Sequence, residues 1–269
     1  PQWILGLPEW LEEFCYDVYK SFIFDNRYEM YVEGLGNTLL LTLMATLMGI
    51  VLGVIIALLR STWDKNGHAL HGMAKFSLRI VNWLCNIYLT VIRGTPILLQ
   101  LYIFYFVLPQ LLPFLKLSSF MWVAIAMCVN SSAYVSEVIR SGIQAVDKGQ
   151  TEAARSLGLS EKQTMSKIIL PQAVRNILPA LGNEFIMILK ETSLASTFYL
   201  GDLMTSYHLV KGATFLGFEA LIIVGIIYFC MTYPLSKIVE RFEKKMANPN
   251  SYGNHKNKFR VHAWGGKKV

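Results

Sequence analysis

The chain has 269 residues, of which 54% are hydrophobic and 16% are charged, and its formal net charge is +7. Ordinary soluble domains carry roughly 25% charged residues. The composition therefore argues against a soluble globular protein and favours an all-α membrane protein, in which the charges cluster outside the apolar runs.

The chain opens with an acidic segment, residues 1–33, in which Trp3 and Trp10 are candidate anchors at a membrane interface. This segment predicts a short helix on the outer membrane surface. Residues 35–59 then contain no charge, and at about 1.5 Å per residue they can cross the roughly 30 Å hydrocarbon core. Within this first span, Gly49 and Gly53 form a small-xxx-small pattern, which favours close helix packing.

The second apolar region, residues 79–108, is too long for one straight span and is interrupted at residues 93–96. We expect a new helix to begin there, with Thr95 as its N-cap and Pro96 at its first position. Before the interruption, Asn82, Asn86 and Thr90 recur every fourth residue and form one polar stripe. That stripe faces either a substrate path or a neighbouring helix.

The third predicted span, residues 121–139, becomes polar in its second half, where Asn130, Tyr134 and Glu137 share one helical face. Ionisable residues inside a membrane are costly and often functional. Glu137 is therefore either a partner for a substrate ammonium group or a structural ion-pair partner of Arg140. Similarly, Arg93 is either part of a substrate path or a topology anchor. The candidate substrate-path residues are Asn82, Asn86, Thr90, Asn130, Tyr134 and Glu137.

Residues 185–203 make a poor fourth span because Lys190 and Glu191 interrupt it; these two side chains could neutralise each other or bond across helices. Such a segment crosses a membrane only among other helices or beside water; the alternative is an interfacial or re-entrant segment. Residues 218–235 form a clear fifth span. Most Lys and Arg residues lie after the first span, within residues 140–175 and in the tail, so the positive-inside rule predicts five spans with N-out/C-in topology.

The stretch from residue 149 to residue 173 is polar and rich in helix-boundary residues. We predict a helix over residues 150–157 that ends at a left-handed Gly158. Ser160 then begins a second short helix, and Gln163 completes its capping box. Met165, Ile168 and Ile169 give this helix an apolar face, and Pro171 limits its length. These features indicate two short helices held against one face of the bundle.

Seven residues of this stretch reproduce the EAA loop of ABC importer permeases: Glu152, Ala153, Ala154, Gly158, Ile168, Leu170 and Pro171. The segments GNTLLLT, VIRGTPILLQL, AYVSEVIRSGIQAVDKGQ, LPQA and KETSLAS resemble the polar amino-acid branch of that family, which includes glutamine, histidine and arginine permeases. The resemblance covers roughly residues 31–245.

The resemblance implies a type I ABC importer transmembrane domain with a five-helix core. The permease domain would span residues 34–240, with a cytosolic coupling loop at about residues 145–181 and a basic cytosolic tail at residues 241–269. In this family the EAA loop docks on a cytosolic ATPase. The residues that would make this contact here are Glu152, Ala153, Ala154, Gly158 and Leu159.

The resemblance also implies partners, because the chain contains no GxxxxGK[ST] phosphate-binding motif. The chain itself would hold no cofactor, and ATP and Mg²⁺ would be bound by the partner ATPase. The other partners would be a second permease chain, identical or paralogous, and an external solute-binding protein. The expected location is the bacterial cytoplasmic (inner) membrane, with no nucleic-acid partner.

Two other functions remain open. A related permease could carry a different small polar solute, such as an opine or a sulfur compound. An autonomous channel or secondary carrier would need no docking loop, and many such carriers show internal repeats, which this sequence lacks. An integral-membrane enzyme is disfavoured because no nucleophile–base pair or metal-ligand set is present. His68 and His71 lack a third ligand, so no metal site is predicted.

Overall fold

A computed structural model describes residues 8–67 and 70–247. This part of the chain is helical and contains no β-strand. Its helices are α1 (Glu9–Phe22), α2 (Tyr28–Asn66), α3 (Gly72–Gly94), α4 (Ile97–Tyr102), α5 (Leu108–Leu111), α6 (Ser119–Gln144), α7 (Lys148–Ser156), α8 (Glu161–Thr164), α9 (Leu170–Glu191), α10 (Leu203–Thr214) and α11 (Gly217–Ala247). Short 3₁₀ helices occupy Phe24–Asn26 and Thr192–Phe198, and π-helical turns occupy Ile103–Val107 and Met165–Ile169.

Among the described residues, three helical segments are long and apolar enough to cross a membrane alone: Phe24–Asp64, Ser119–Gln144 and Gly217–Met246. A fourth crossing is possible where Gly72–Gly94 and Ile97–Leu111 meet at a bend of 108°. These four agree with four of the predicted spans. The predicted span at residues 185–203 is not among them, because its residues form the end of α9 and the 3₁₀ helix that follows. The count of five spans stays a prediction.

Helix α6 lies at the centre of the bundle and packs against α2, α3 and α9. The contact with α2 depends on two glycines, as the small-xxx-small pattern predicts. A Cβ atom at Gly53 would lie 2.6 Å from Cγ1 of Val135, and one at Gly49 would lie 2.6 Å from Oγ of Ser131. A separation this short leaves no room for a side chain, so the prediction of close helix packing is confirmed.

The interruption of the second apolar region is present, but its cap differs from the prediction. α3 ends at Gly94, Thr95 and Pro96 are extended, and the chain becomes helical again at Ile97. Pro96 is therefore the N-cap rather than the first helical residue. Thr95 does not cap the new helix either, because its hydroxyl donates back to the carbonyl of Val91 at 2.8 Å.

The side chain of Gln100 holds the two sides of this break together. Its Nε2 donates to the carbonyl of Ile92 at 2.8 Å and contacts Oγ1 of Thr95 at 2.9 Å. Its Oε1 accepts a hydrogen bond of 2.9 Å from Nδ2 of Asn130 on α6. Gln100 is buried, so these bonds satisfy an amide that has little access to solvent, and they fix the bend against the central helix.

The N-terminal segment forms a short helix, α1, as predicted. It packs against α10 and α11, and the ring of Phe14 lies 6.3 Å from that of Phe218. Trp10 is largely exposed, which is compatible with an interface anchor, whereas Trp3 lies outside the described residues. Placing the segment on the outer surface stays a prediction.

Two residues of the GNTLLLT segment fasten α2 to the loop that precedes α10. Nδ2 of Asn37 donates to the carbonyl of Gly201 at 2.9 Å, and Oγ1 of Thr38 accepts from the backbone N–H of Leu203 at 3.0 Å. Gly201 has a positive φ of 74°, a conformation that glycine adopts without steric cost. These contacts hold the chain in place where it leaves the 3₁₀ helix after α9.

Candidate functional site

The site is built from two neighbouring parts, a helical loop after α6 and a charged cluster on α6. The loop begins at Asp147, three residues after the end of α6. Oδ1 of Asp147 accepts a hydrogen bond of 2.6 Å from the backbone N–H of Gly149 and so caps α7. The predicted helix at residues 150–157 is confirmed, and it begins two residues earlier, at Lys148.

The end of α7 is a Schellman motif. Gly158 has φ +82°, its N–H donates to the carbonyl of Arg155 at 3.0 Å, and the N–H of Leu159 donates to the carbonyl of Ala154 at 3.1 Å. The left-handed glycine predicted at this position is confirmed. The motif fixes the direction in which the chain leaves α7, so the helix is a rigid element with two satisfied ends.

The second helix begins with the predicted capping box. The backbone N–H of Gln163 donates to Oγ of Ser160 at 3.3 Å, and the N–H of Ser160 donates to Oε1 of Gln163 at 2.9 Å. The predicted limit at Pro171 is wrong. The helix widens into the π turn Met165–Ile169 and continues as α9 to Glu191. Because proline has no N–H to donate, a wider turn before it lets the chain stay helical.

The five proposed coupling residues do not all face outward. Glu152, Ala153 and Gly158 are exposed, Leu159 is partly exposed, and Ala154 is only 4% exposed. α7 packs against the π turn Met165–Ile169, so Ala154 permits close approach to the permease itself. Its role as a docking residue stays a prediction.

Sequence reasoning missed one exposed residue of the loop. Leu157, at the C-cap of α7, is 83% exposed. A leucine at the end of a polar, well-capped helix gains nothing from this exposure within the single chain. The sequence signal for this exposure was the position of Leu157 immediately before the predicted left-handed glycine, at the end of the helix. Leu157 therefore adds an apolar contact to the exposed surface of α7.

The base of the loop is anchored by a small apolar cluster. Val146, Ile169, Ala173 and Ile177 are buried together and pack against the last turns of α6. These residues belong to the loop, the π turn and α9. The base of the loop is therefore packed together with the end of α6 and the start of α9.

Glu137, near the end of α6, is surrounded by three arginines. Its Oε1 lies 2.7 Å from Nη1 of Arg60, and its Oε2 lies 2.6 Å from Nη2 of Arg140 and 3.6 Å from Nη1 of Arg93. The guanidinium of Arg93 also lies over the ring of Tyr134, 5.8 Å from its centroid. We call Glu137 and the three arginines the carboxylate cluster.

The carboxylate cluster joins three helices, because Arg60 lies in α2, Arg93 in α3, and Arg140 in α6 with Glu137. The ion pair expected between Glu137 and Arg140 is present. Sequence reasoning missed the other two partners, since Arg60 is separated from Glu137 by 77 residues and no local pattern connects them. Bidentate contact with Arg140 and a bond to Arg60 occupy both carboxylate oxygens.

The six candidate substrate-path residues do not converge on one cavity of the single chain. Asn86 and Thr90 lie on an exposed side of α3, and Asn82 is half-buried. Asn130 is bonded to Gln100, whereas Glu137 belongs to the carboxylate cluster and Tyr134 contacts that cluster through Arg93. The polar stripe of α3 therefore points away from this chain's own core.

Two further expectations concern charged or metal-binding residues. Lys190 is exposed and Glu191 is half-buried, and no salt bridge joins these two described residues, so their mutual neutralisation stays a prediction. His68, one member of the histidine pair, lies outside the described residues.

Comparison with known proteins identifies relatives of the whole arrangement. Residues 72–248 match the family described as binding-protein-dependent transport system inner membrane component. The arginine transport system permease protein ArtQ of Bacillus subtilis (strain 168) is 44% identical over 164 residues, covering 61% of this chain and 74% of ArtQ. The probable glutamine ABC transporter permease protein GlnM of the same organism is 38% identical over 226 residues, covering 84% of this chain and 97% of GlnM.

A solved structure, described as the crystal structure of an amino acid ABC transporter with histidines, shares 40% sequence identity with this chain. The TM-score is 0.72, and the match covers 81% of this chain and 94% of that chain. Its fold agrees with the helical bundle and the type I importer architecture expected from the sequence. The relatives are transport proteins rather than enzymes. The chain is a membrane permease and belongs to the family of inner membrane components of binding-protein-dependent transport systems.

Proposed function

We propose that this chain is the permease subunit of an ATP-driven importer that moves polar amino acids inward across the bacterial cytoplasmic membrane. The observation that carries the proposal is α7, a rigidly capped helix that presents Glu152, Ala153 and Leu157 to solvent. The names of the relatives support the substrate class, since ArtQ is named for arginine and GlnM for glutamine.

The partners follow from the same proposal. A cytosolic ATPase would bind ATP and Mg²⁺ and receive α7 in a groove, because this chain has no phosphate-binding loop. Two permease chains, identical or paralogous, would form the pathway, and an external solute-binding protein would deliver the substrate. The excess of Lys and Arg near the coupling loop and beyond α11 supports N-out/C-in topology with five spans.

The geometry gives this proposal a mechanical route. Glu137 precedes Gln144, the last residue of α6, by seven positions, which is about 10 Å along a helix. Closure of the ATPase would move α7, the apolar base of the loop would carry the movement to α6 and α9, and the carboxylate cluster would carry it to α2 and α3. Packed elements of this kind pass a displacement on because they resist local deformation.

Glu137 serves this route as a structural link. Both of its oxygens are occupied by guanidinium groups from the same chain, so a substrate ammonium would have to displace a closer cation. We therefore assign Glu137 to coupling among helices and not to substrate recognition. The exposed stripe Asn82, Asn86 and Thr90 remains available to line a path against the second permease chain.

A secondary carrier is disfavoured by the same helix. Such a protein has no use for a stiff cytosolic helix that ends in an exposed leucine, whereas a groove on a partner ATPase would cover it. A different cargo, such as an opine or a sulfur compound, is compatible with the loop, and only transport can separate these substrates.

The test is uptake by proteoliposomes that contain the chain with the subunits that co-purify with it, loaded with ATP or with ADP. We expect labelled arginine, glutamine or histidine to accumulate only with ATP, and unlabelled amino acids to compete better than an opine or a sulfur compound. Accumulation without ATP would favour the carrier. Competition by an opine or a sulfur compound alone would keep the permease and change its cargo.

A further inference from the structure

A groove lies between α9 and α11 at the end of the bundle next to the coupling loop. It has a volume of about 340 Å³, and its lining is apolar. The lining includes Leu178, Phe185 and Ile186 from α9 and Leu235, Ile238 and Phe242 from α11. Leu178 follows the start of α9 by two turns, and Phe242 lies five residues before the end of α11, so both helices place the groove at the same membrane face.

The two helices meet closely at one point beside this groove. A Cβ atom at Gly182 would lie 2.7 Å from Cγ2 of Val239. Ile238 and Phe242 are about half exposed beside this contact. Apolar residues thus continue along α11 past Lys237, the first basic residue of that helix, to Met246. An apolar face that continues into a charged region is typical of a helix at a membrane interface.

Basic side chains lie at the rim of the groove. An adjoining pocket is lined by Ile238, Arg241, Phe242 and Lys245, and it shares Ile238 and Phe242 with the groove. Within residues 8–67 and 70–247, neither Arg241 nor Lys245 has an ion pair or a hydrogen bond to a side chain. Every Asp and Glu of the chain falls within those residues, so no carboxylate side chain elsewhere in the chain can neutralise this rim.

The neighbouring lysines differ from this pair. Nζ of Lys237 lies 2.8 Å from Glu240, and Nζ of Lys244 lies 2.5 Å from the same carboxylate. These two charges are therefore paired within α11. The unpaired positive charge is concentrated at Arg241 and Lys245, directly beside the apolar lining.

We propose that this groove binds an anionic phospholipid, with an acyl chain along the apolar lining and the phosphate between Arg241 and Lys245. The occupant needs a long apolar part and a negative group at one end, and a phospholipid of the adjacent leaflet has both. Basic residues at a membrane surface attract anionic lipid, and two of them give a preference on the order of tenfold over a zwitterionic lipid.

Charge complementarity favours a phospholipid over two other possible occupants of the groove, the tail of this chain and a second copy of it. Residues 248–269 contain Lys and Arg but no Asp or Glu, so the tail of the chain would add positive charge to a positive rim. A second copy that packed symmetrically over the groove would bring its own Arg241 and Lys245 to the same place. A phospholipid supplies the missing negative charge and the apolar filling together.

The test uses the full chain, isolated in mild detergent with its co-purifying subunits, and native mass spectrometry. The probes are equimolar dioleoylphosphatidylglycerol and dioleoylphosphatidylcholine. We expect the unaltered protein to retain the anionic lipid about tenfold in excess. The double variant Arg241→Gln, Lys245→Gln should lose most of this excess, whereas the matched control Lys237→Gln, Lys244→Gln should keep it.

Two results would overturn the proposal. One is an anionic preference that both double variants lose equally, or that neither loses, because the lipid would then respond to general charge or bind elsewhere. The other is efficient disulfide formation between two copies carrying Ile238→Cys in native membranes, beyond that of the parent chain with its own cysteines. That result would assign the groove to an interface between permease chains.

Discussion

Replacing Glu137 with glutamine keeps the size of the side chain and removes the charge that Arg60, Arg93 and Arg140 share. One amide oxygen would remain for a cluster that now contacts both carboxylate oxygens. The new amide NH₂ group would also face a guanidinium, which has no acceptor. Three positive charges would then lie close together without a counter-ion, so the variant should loosen the contacts of α6 with α2 and α3.

The size of the effect follows from exposure. The side chain of Glu137 is 17% exposed, and those of its partners range from 22% for Arg60 to 45% for Arg93. Hydrogen bonds to charged groups contribute about 1.5–3 kcal/mol when buried, and exposed ion pairs about 0.2–1 kcal/mol. The contact with Arg60 should resemble a buried hydrogen bond to a charged group, and the contacts with Arg93 and Arg140 should resemble exposed ion pairs. The expected loss of folding stability is therefore roughly 2–3 kcal/mol.

The assay is the thermal stability of the detergent-solubilised complex, followed by size-exclusion chromatography after heating. For a chain of this size the loss lowers the Tm by at least about 4 °C. The matched control is Glu240→Gln, because Glu240 also contacts two cations but is 41% exposed, with partners 50% and 74% exposed. Its effect on the Tm should be much smaller, because solvent screens an exposed ion pair.

A double variant distinguishes loss of the Arg60–Glu137 ion pair from nonspecific destabilisation of the complex. Arg60→Gln together with Glu137→Gln should destabilise the complex less than the sum of the two single changes, because the pair is already broken by either one. If Glu137→Gln left the Tm unchanged while uptake of one substrate fell selectively, the carboxylate would face the substrate path, and our assignment of Glu137 to helix coupling would be wrong.

Three further changes and one control test other parts of the bundle. Gly53→Leu should abolish assembly of the complex, since even a Cβ atom would clash with Val135. The control Gly36→Ala should be tolerated, because nothing lies within 4 Å of the added atom. The yield of monodisperse complex measures both effects. Gln100→Ala leaves the buried amide of Asn130 and the part-buried acceptors at the α3–α4 break without their partner. It should lower the stability of the complex by about 1–3 kcal/mol, which thermal unfolding measures. Leu157→Asp should reduce the amount of ATPase that co-purifies while leaving the Tm of the isolated permease unchanged, because the side chain is exposed.

Local signals in the sequence predicted the parts of the site that depend on neighbouring residues. Gly158 and Ser160 end one helix and begin the next through bonds that reach only a few residues along the chain. The glycine spacing in α2 likewise predicted a close helix contact, although it could not identify Val135 on α6 as the partner. Each of these features is encoded within a stretch of about one or two helical turns.

Features that depend on distant residues or on two competing local solutions were not predictable. The bond between Arg60 and Glu137 joins residues 77 positions apart, and only the packing of α2 on α6 brings them together. Pro171 could end a helix or follow a π turn, and neither arrangement requires the backbone N–H that proline lacks. The buried contacts of Ile169 and Ala173 favour the π turn. Ala154 faces inward for the same reason, since α7 packs on that turn.

The central claim is that α7 couples this permease to a separate ATPase. The most direct measurement is the ATPase activity and subunit ratio of the complex purified through this chain, with Glu152→Gln and Gly158→Val as loop variants and Glu161→Gln as the matched control. Glu161 is an exposed carboxylate that lies in α8 and not in α7. We predict a stoichiometric ATPase that Gly158→Val displaces, because valine is strained at φ +82°, and weakened coupling for Glu152→Gln alone. A chain that purifies without any ATPase and still transports solute would contradict the account.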